Sequence, residues 1–142
     1  MMDRQEAIDQ ILDHYHHPRN RRALHTYSFS AEGVNPGCGD VVRMYVQLRG
    51  DGRIGDVSFE GEGCTISQAA ASIMTEIALG RTFDEIAAMD ADTLVDTLGR
   101  EVVTSRVRCA TLPLDALKNG IHQFRGDAAP GTSLDTPRST QV

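Results

Sequence analysis

The chain has 142 residues, the size of one domain around a single hydrophobic core, and its 40% hydrophobic content is ordinary for a globular protein. No apolar run approaches the roughly 20 residues of a membrane span, and the acidic N-terminus lacks the apolar stretch of a secretory signal. A net charge of −6 without clustered Lys and Arg disfavours nucleic acid as a partner, so we expect a cytoplasmic protein with neither membrane nor nucleic-acid ligands.

Residues 3–17 are predicted to form an amphipathic helix. Asp3 and Glu6 have the N-cap and N3 spacing of a capping box. Apolar residues then recur with the spacing of one helical face. Pro18 is expected to end the helix, because proline restricts the backbone of the residue before it.

Three strands are predicted next, over residues 25–34, 41–48 and 53–60. Alternation is clearest in the second strand, where Val42 and Met44 belong to one face with apolar residues at the following even positions. An Arg-Gly-Asp-Gly turn separates the last two strands. The pattern predicts a small antiparallel sheet with one covered face.

Helices dominate the second half of the chain. Glycines and capping residues bound most of them, and Pro113 is tolerable in the last helix if it falls in the first turn. The predicted helices cover residues 66–79, 82–89, 92–98 and 111–124. The element order predicts an α+β fold, a three-stranded antiparallel sheet with helices packed on one face.

One domain is expected over residues 1–125. The following segment, residues 126–142, is rich in Pro, Gly, Ser and Thr and has no apolar periodicity. Such a composition cannot bury enough apolar surface to fold, so we predict a disordered C-terminal tail.

The three cysteines are the strongest candidates for a functional site. An odd number in a reducing compartment does not indicate a disulfide framework. Cys38 lies between glycines before the second strand, Cys64 lies at the start of the buried helix, and Cys109 is expected just before the last helix. Glycine flanks, helix N-termini and neighbouring arginines all favour exposed thiols with a lowered pKa.

The three thiols are expected to converge at one end of the sheet. Asp40, two residues after Cys38, is the natural fourth ligand for a tetrahedral site. Three thiolates and one carboxylate suit Zn²⁺ or Fe²⁺ and do not suit Mg²⁺ or Ca²⁺. The five histidines are interpreted as solvated residues rather than permanent ligands.

Four segments resemble the U-type iron–sulfur scaffold family, which comprises SufU, IscU and the N-terminal domain of NifU. They are DHYHHPRN (13–20), NPGCGD (35–40), GEGCTISQAAAS (61–72) and RVRCATLPLDAL (106–117). The resemblance implies a SufE/NifU-like, IscU-like fold. It also implies a cysteine desulfurase partner of the SufS or IscS kind, recipient apoproteins or carriers, and these metal or cluster ligands: Cys38, Asp40, Cys64 and Cys109.

The branch within this family is left open, with SufU favoured. Arg106 resembles the arginine of the SufU pattern, and Arg108 stands where IscU chains carry a histidine before the third cysteine. The short interval between the second and third cysteines is instead close to the IscU arrangement. We expect Arg106 to support the site by pairing with the anionic thiolates.

Two functions follow from the resemblance. In the first, the protein acts with the desulfurase as a zinc-dependent sulfurtransferase, and Cys38 is the sulfur acceptor. In the alternative, the protein is an IscU-type scaffold that carries a transient [2Fe–2S] cluster without a sulfurtransferase role. A purely structural zinc site is a third interpretation, which the glycine-rich settings of the cysteines disfavour.

Overall fold

The structure, a computed structural model, describes residues 3–37 and 39–126. The predicted tail from residue 127 onward and Cys38 lie outside the described residues. The elements in chain order are α1 (Arg4–His16), β1 (Phe29–Asn35), β2 (Asp40–Leu48), β3 (Ile54–Glu62), α2 (Thr65–Ala78), α3 (Phe83–Ala87), α4 (Ala91–Leu98), α5 (Arg100–Val103), a 3₁₀ turn (Thr104–Arg106) and α6 (Val107–Phe124).

The start of α1 confirms the predicted capping box. The Asp3 carboxylate accepts a hydrogen bond from the Glu6 N–H at 2.8 Å, and the Glu6 carboxylate accepts one from the Asp3 N–H at 2.9 Å. These bonds satisfy backbone donors that a helix start otherwise leaves unpaired. The helix ends at His16, one residue before the predicted end.

The three strands form an antiparallel sheet in the order β1-β2-β3, which confirms the predicted α+β fold. Val42 and Met44 are fully buried beneath the helices, whereas Arg43 belongs to the opposite face. The prediction that the first strand begins at residue 25 was wrong, since β1 begins at Phe29. Tyr27 instead packs its ring edge-on against Tyr45, with centroids 5.2 Å apart.

The hydrophobic core lies between the sheet and the helices α2 and α6. Its largest fully buried side chains are Phe29, Phe59, Met44, Ile54, Met74, Ile86, Leu94, Leu98, Leu114, Leu117, Ile121 and Val42. Within residues 3–37 and 39–126, none of the helices has the length and apolarity that crossing a bilayer requires.

Helix α6 approaches strand β1 closely at two glycines. A Cβ atom at Gly120 would overlap the ring of Phe29 and lie 2.8 Å from the Ala31 Cβ, and a Cβ at Gly33 would lie 3.1 Å from Leu112 Cδ1. The absence of side chains at these glycines therefore lets the helix lie directly on the strand. This contact places the first turn of α6 beside the end of β1.

The predicted start of the last helix was wrong. Helix α6 begins at Val107, so Cys109 lies inside its first turn and Pro113 is an interior residue. The start was missed because no side chain caps the helix, and the preceding 3₁₀ turn leads directly into it. Pro113 lacks the N–H that would otherwise bond the Cys109 carbonyl four residues earlier.

A candidate metal centre

Three of the four predicted ligands meet at one end of the sheet. Asp40 is the first residue of β2, Cys64 is the N-cap of α2, and Cys109 lies in the first turn of α6. One ligand atom from each lies within 4.8 Å of the others. The fourth predicted ligand, Cys38, lies outside the described residues.

The carboxylate of Asp40 is fully buried and divides its two oxygens between two tasks. Oδ1 accepts hydrogen bonds from the Cys64 N–H at 2.7 Å and from the Ser67 hydroxyl at 3.3 Å. Oδ2 accepts one from the Cys109 thiol at 2.9 Å and lies 3.9 Å from the Cys64 sulfur. Oδ2 is therefore the oxygen that faces both sulfurs.

The hydrogen bonds around Asp40 favour its charged form. Burial by itself raises the pKa of this carboxyl, but hydrogen bonds donated by the Cys109 thiol, the Cys64 N–H and the Ser67 hydroxyl lower the pKa by more than burial raises it. The net effect is a pKa below the ordinary value of an aspartate. Asp40 is thus held as an anion, the form that ligates a metal.

Cys64 lies at the start of the buried helix, as the sequence predicts, but its side chain is not exposed. It is half-buried and caps α2, with its sulfur accepting a hydrogen bond from the Ser67 N–H at 3.4 Å. The helix start therefore positions the sulfur 3.9 Å from Oδ2 of Asp40.

The expectation of an exposed, acidic thiol was wrong for Cys109. Its side chain is buried, and burial together with the adjoining Asp40 carboxylate raises the pKa of the thiol well above its ordinary value. A lone thiolate beside a carboxylate would place two negative charges in contact. A divalent cation between them neutralises both, so this donor set fits Zn²⁺ or Fe²⁺.

A glycine makes room for the aspartate. Gly63 has a φ of +144°, and a Cβ atom built on it would overlap Oδ1 of Asp40. Glycine is the residue that combines this backbone conformation with such a close approach. The Gly-Cys sequence before α2 therefore shapes the space that Asp40 occupies.

Sequence reasoning missed three residues that surround the ligands. The buried Asn35 pairs with Asp40 across the β1–β2 register and donates its amide to the Cys109 sulfur at 3.6 Å. Ser67 and Gln68, also buried, lie behind Asp40 at the start of α2. All three lie within the cysteine motifs, yet a polar residue near a ligand does not by itself reveal where its hydrogen bonds go.

Arg106 lies exposed in the 3₁₀ turn, three residues before Cys109. Its support of the site stays a prediction.

The interpretation of the histidines as solvated was wrong for His14, which is buried and bonded through Nδ1 to the Ser72 hydroxyl at 2.8 Å. Asp40, Cys64 and Cys109 form the metal-ligand group found among residues 3–37 and 39–126.

Comparison with known proteins gives a family for the chain. Residues 6–129 match the family of NifU-like N-terminal domains. The zinc-dependent sulfurtransferase SufU of Bacillus subtilis is 35% identical over 133 residues, covering 82% of this chain and 89% of that protein. An iron–sulfur cluster assembly scaffold protein IscU of Archaeoglobus fulgidus is 33% identical, covering 82% of this chain and 74% of that protein.

The fold leads to the same group of proteins. The crystal structure of a SufU from Fervidobacterium islandicum, described as an iron–sulfur cluster assembly scaffold for the SUF system, superposes with a TM-score of 0.67 and 28% identity. The superposition covers 80% of this chain and 94% of that protein. With the three-stranded sheet and the cysteine-containing motifs in the same chain, this protein belongs to the family of NifU-like N-terminal domains.

Proposed function

We propose that this protein assembles iron–sulfur clusters in the manner of SufU and IscU. The observation that carries the proposal is the convergence of Asp40, Cys64 and Cys109 within 4.8 Å in a member of the NifU-like family. Zn²⁺ or Fe²⁺ would be held by these residues with Cys38, and a nascent [2Fe–2S] cluster would be cargo at the same site. Thiolates are the usual ligands of such clusters, and a carboxylate in place of the fourth thiolate favours release of the cluster.

Sulfur acceptance by Cys38 is the more specific part of this proposal. A Cys38 thiolate would attack the outer sulfur of a persulfide on a cysteine desulfurase. The S–S bond of that persulfide breaks, the partner's cysteine leaves as a thiolate, and Cys38 becomes the persulfide. The similarity to a protein named as a zinc-dependent sulfurtransferase supports this role.

The surroundings of Cys38 suit such an exchange. Gly37 and Gly39 on either side are exposed, and a Cβ on Gly39 would meet no atom within 4 Å. Asp40, two residues further on, is buried and fixed at the proposed metal. The neighbours of Cys38 in the sequence are therefore two exposed glycines and, one residue further on, the buried Asp40.

Desulfurase turnover with zinc-loaded protein and no iron tests this role. The wild type is expected to raise turnover, and Cys38→Ala is expected to abolish the increase because the nucleophile is absent. Asp40→Ala is expected to lower it, whereas Asp9→Ala, which removes an exposed carboxylate on α1, serves as the matched control. Unchanged turnover with the wild type, or full stimulation by Cys38→Ala, would refute sulfur acceptance.

The scaffold role is the second candidate, and the similarity to proteins named as IscU scaffolds favours it. The scaffold role predicts a different pattern of mutational effects from sulfur acceptance, because each cysteine then acts only as a ligand. Alanine at Cys38, Cys64 or Cys109 is expected to prevent stable cluster formation to a similar degree. Recipient apoproteins or carrier proteins would then take the cluster from the site.

A purely structural zinc is disfavoured by where the core lies. The buried apolar cluster between the sheet and the helices includes neither Cys64 nor Cys109. Structural zinc sites usually replace a core that is too small to stabilise the fold. Here the core is extensive without the site.

A further inference from the structure

The polar side chains behind Asp40 form a short chain of hydrogen bonds. The Gln68 amide donates to the Ser67 hydroxyl oxygen at 3.1 Å, and the Ser67 hydroxyl donates to Asp40 Oδ1 at 3.3 Å. All three residues are buried, and Ser67 and Asp40 are completely inaccessible to solvent. The chain ends on the oxygen that does not face the sulfurs.

The Gln68 side chain carries a buried oxygen, Oε1, that forms no hydrogen bond within the described residues. Gly61 provides the space for it, because a Cβ atom there would lie 3.1 Å from that oxygen. An apolar side chain would avoid the unpaired oxygen, so the amide is explained by the donor that it presents to Ser67.

Together with the Cys64 N–H, the Ser67 hydroxyl occupies Oδ1 and leaves Oδ2 facing Cys64 and Cys109. We propose that Ser67, supported by Gln68, is a positioning residue that holds Asp40 as a ligand through the single oxygen Oδ2. This inference rests on the proposed function, since it concerns the same metal site.

The Ser67 hydroxyl also has a second acceptor. The Cys64 carbonyl oxygen lies 3.1 Å from Ser67 Oγ, closer than Asp40 Oδ1. Because a hydroxyl has one proton, it bonds one of these acceptors at a time. Ser67 could therefore turn to the carbonyl and remain hydrogen-bonded if Asp40 moved, so the arrangement positions the carboxylate without fixing it permanently.

Zinc affinity and release test the proposal in the full-length protein. Zinc transfer to a chromophoric chelator is measured for the wild type, Ser67→Ala, Ser67→Thr, Gln68→Leu and the control Ser58→Ala. Ser58 is a matched control because it is a fully buried serine whose hydroxyl has no partner within the described residues. Ser67→Ala is expected to weaken zinc binding by about 10- to 100-fold, the usual cost of removing an outer-shell partner.

The other variants separate positioning from packing. Gln68→Leu is expected to weaken binding less, Ser67→Thr is expected to restore most of the affinity through its hydroxyl, and Ser58→Ala is expected to bind like the wild type. X-ray absorption at the zinc edge provides a second readout. It is expected to show an altered Zn–O shell in Ser67→Ala alone, with unchanged circular dichroism.

Three results would overturn the inference. One is a Ser67→Ala affinity and Zn–O shell equal to those of Ser58→Ala while the wild type binds zinc, which would leave the proposed function intact. Another is an equal loss in Ser67→Thr and Ser67→Ala, which would point to packing. The last is a wild type that binds no zinc and no iron, which would refute the metal site of the proposed function as well.

Discussion

At the scale of single residues, the candidate site depends on a glycine as much as on its ligands. Gly63 combines a φ of +144° with contact to the Asp40 carboxylate. The residue that follows it, Cys64, donates its N–H to that same carboxylate at 2.7 Å. Any change in the backbone at Gly63 therefore reaches two proposed ligands at once.

Gly63→Ala is expected to displace Asp40 and lower zinc affinity by at least about tenfold, because the new methyl group occupies the place of Oδ1. Backbone strain at a positive φ is also expected to destabilise the folded variant by about 1–3 kcal/mol. Gly50→Ala is the control, since a Cβ at Gly50 meets nothing within 4 Å. Competition with a zinc chelator measures the effect, and equal affinities for the two variants would contradict the geometry.

Some features of the proposed ligands could be predicted from the sequence, and others could not. Cys64 and Asp40 were predictable because the motifs place them at the starts of a helix and a strand. The burial of Cys109 was not predictable, since it depends on α6 lying against β1 and on a helix start without a capping side chain. The hydrogen bonds of Asn35 and Ser67 likewise depend on tertiary contacts between residues distant in the chain.

At the scale of elements, α1 is fastened to α2 by a buried polar network. The Ser72 hydroxyl oxygen accepts a hydrogen bond from the Arg19 N–H at 2.8 Å and is hydrogen-bonded to Nδ1 of His14, also at 2.8 Å. Nε2 of the same ring lies 3.6 Å from Glu76. Burial lowers the pKa of His14, and the charge of Arg19 lowers it further, while Glu76 and Asp13 oppose the shift.

This network predicts a pH dependence of stability. A histidine whose folded-state pKa is lowered stabilises the fold above its unfolded pKa, near 6.5. The contribution is lost progressively as pH falls from there toward the folded value, because the unfolded chain binds the proton more readily. His14→Gln is expected to remove this component from urea unfolding measured at several pH values between about 7.5 and 5.

The exposed His25 provides the control for that experiment. His25→Gln is expected to retain the wild-type fall in the free energy of unfolding at acid pH. If His14→Gln and wild type lose stability in parallel, the protonation of His14 is not the cause.

The contact between α6 and β1 sets the position of Cys109. Gly120→Ala is expected to destabilise the protein by about 1–3 kcal/mol through overpacking against Phe29, although alanine favours helix formation. Asn119→Ala introduces the same residue at the neighbouring, half-exposed position of α6 and is expected to be nearly neutral. Urea unfolding measures both, and a stabilised Gly120→Ala variant would mean that the helix has room to move.

At the scale of the whole molecule, the core and the site are separate. The apolar cluster lies between the sheet and the helices, whereas the ligands gather at one end of the sheet. Chelation is therefore expected to leave the helical circular dichroism largely intact and to increase hydrogen exchange near residues 33–40 and 61–65. Complete loss of helical signal on chelation would instead show a structural metal.

The α+β architecture was predictable from the sequence because its signals are local. The alternation in β2 and the capping box of α1 each specify an element without reference to the rest of the chain. The short helix α5 and the 3₁₀ turn were missed, since neither has a side chain that caps its start. These two elements lead directly into α6. Because they were missed, Cys109 was predicted to lie before α6 rather than inside its first turn.

The central claim is that Asp40, Cys64 and Cys109, with Cys38, bind a metal or a nascent cluster. Its most direct test is the zinc content, iron content and visible absorbance of protein purified without oxygen, before and after addition of iron, cysteine and a desulfurase. The wild type is expected to contain zinc or iron and to gain cluster absorbance, whereas Cys64→Ala and Cys109→Ala are expected to lose both. A wild type without bound metal or cluster absorbance, or alanine variants that retain them in full, would contradict the claim.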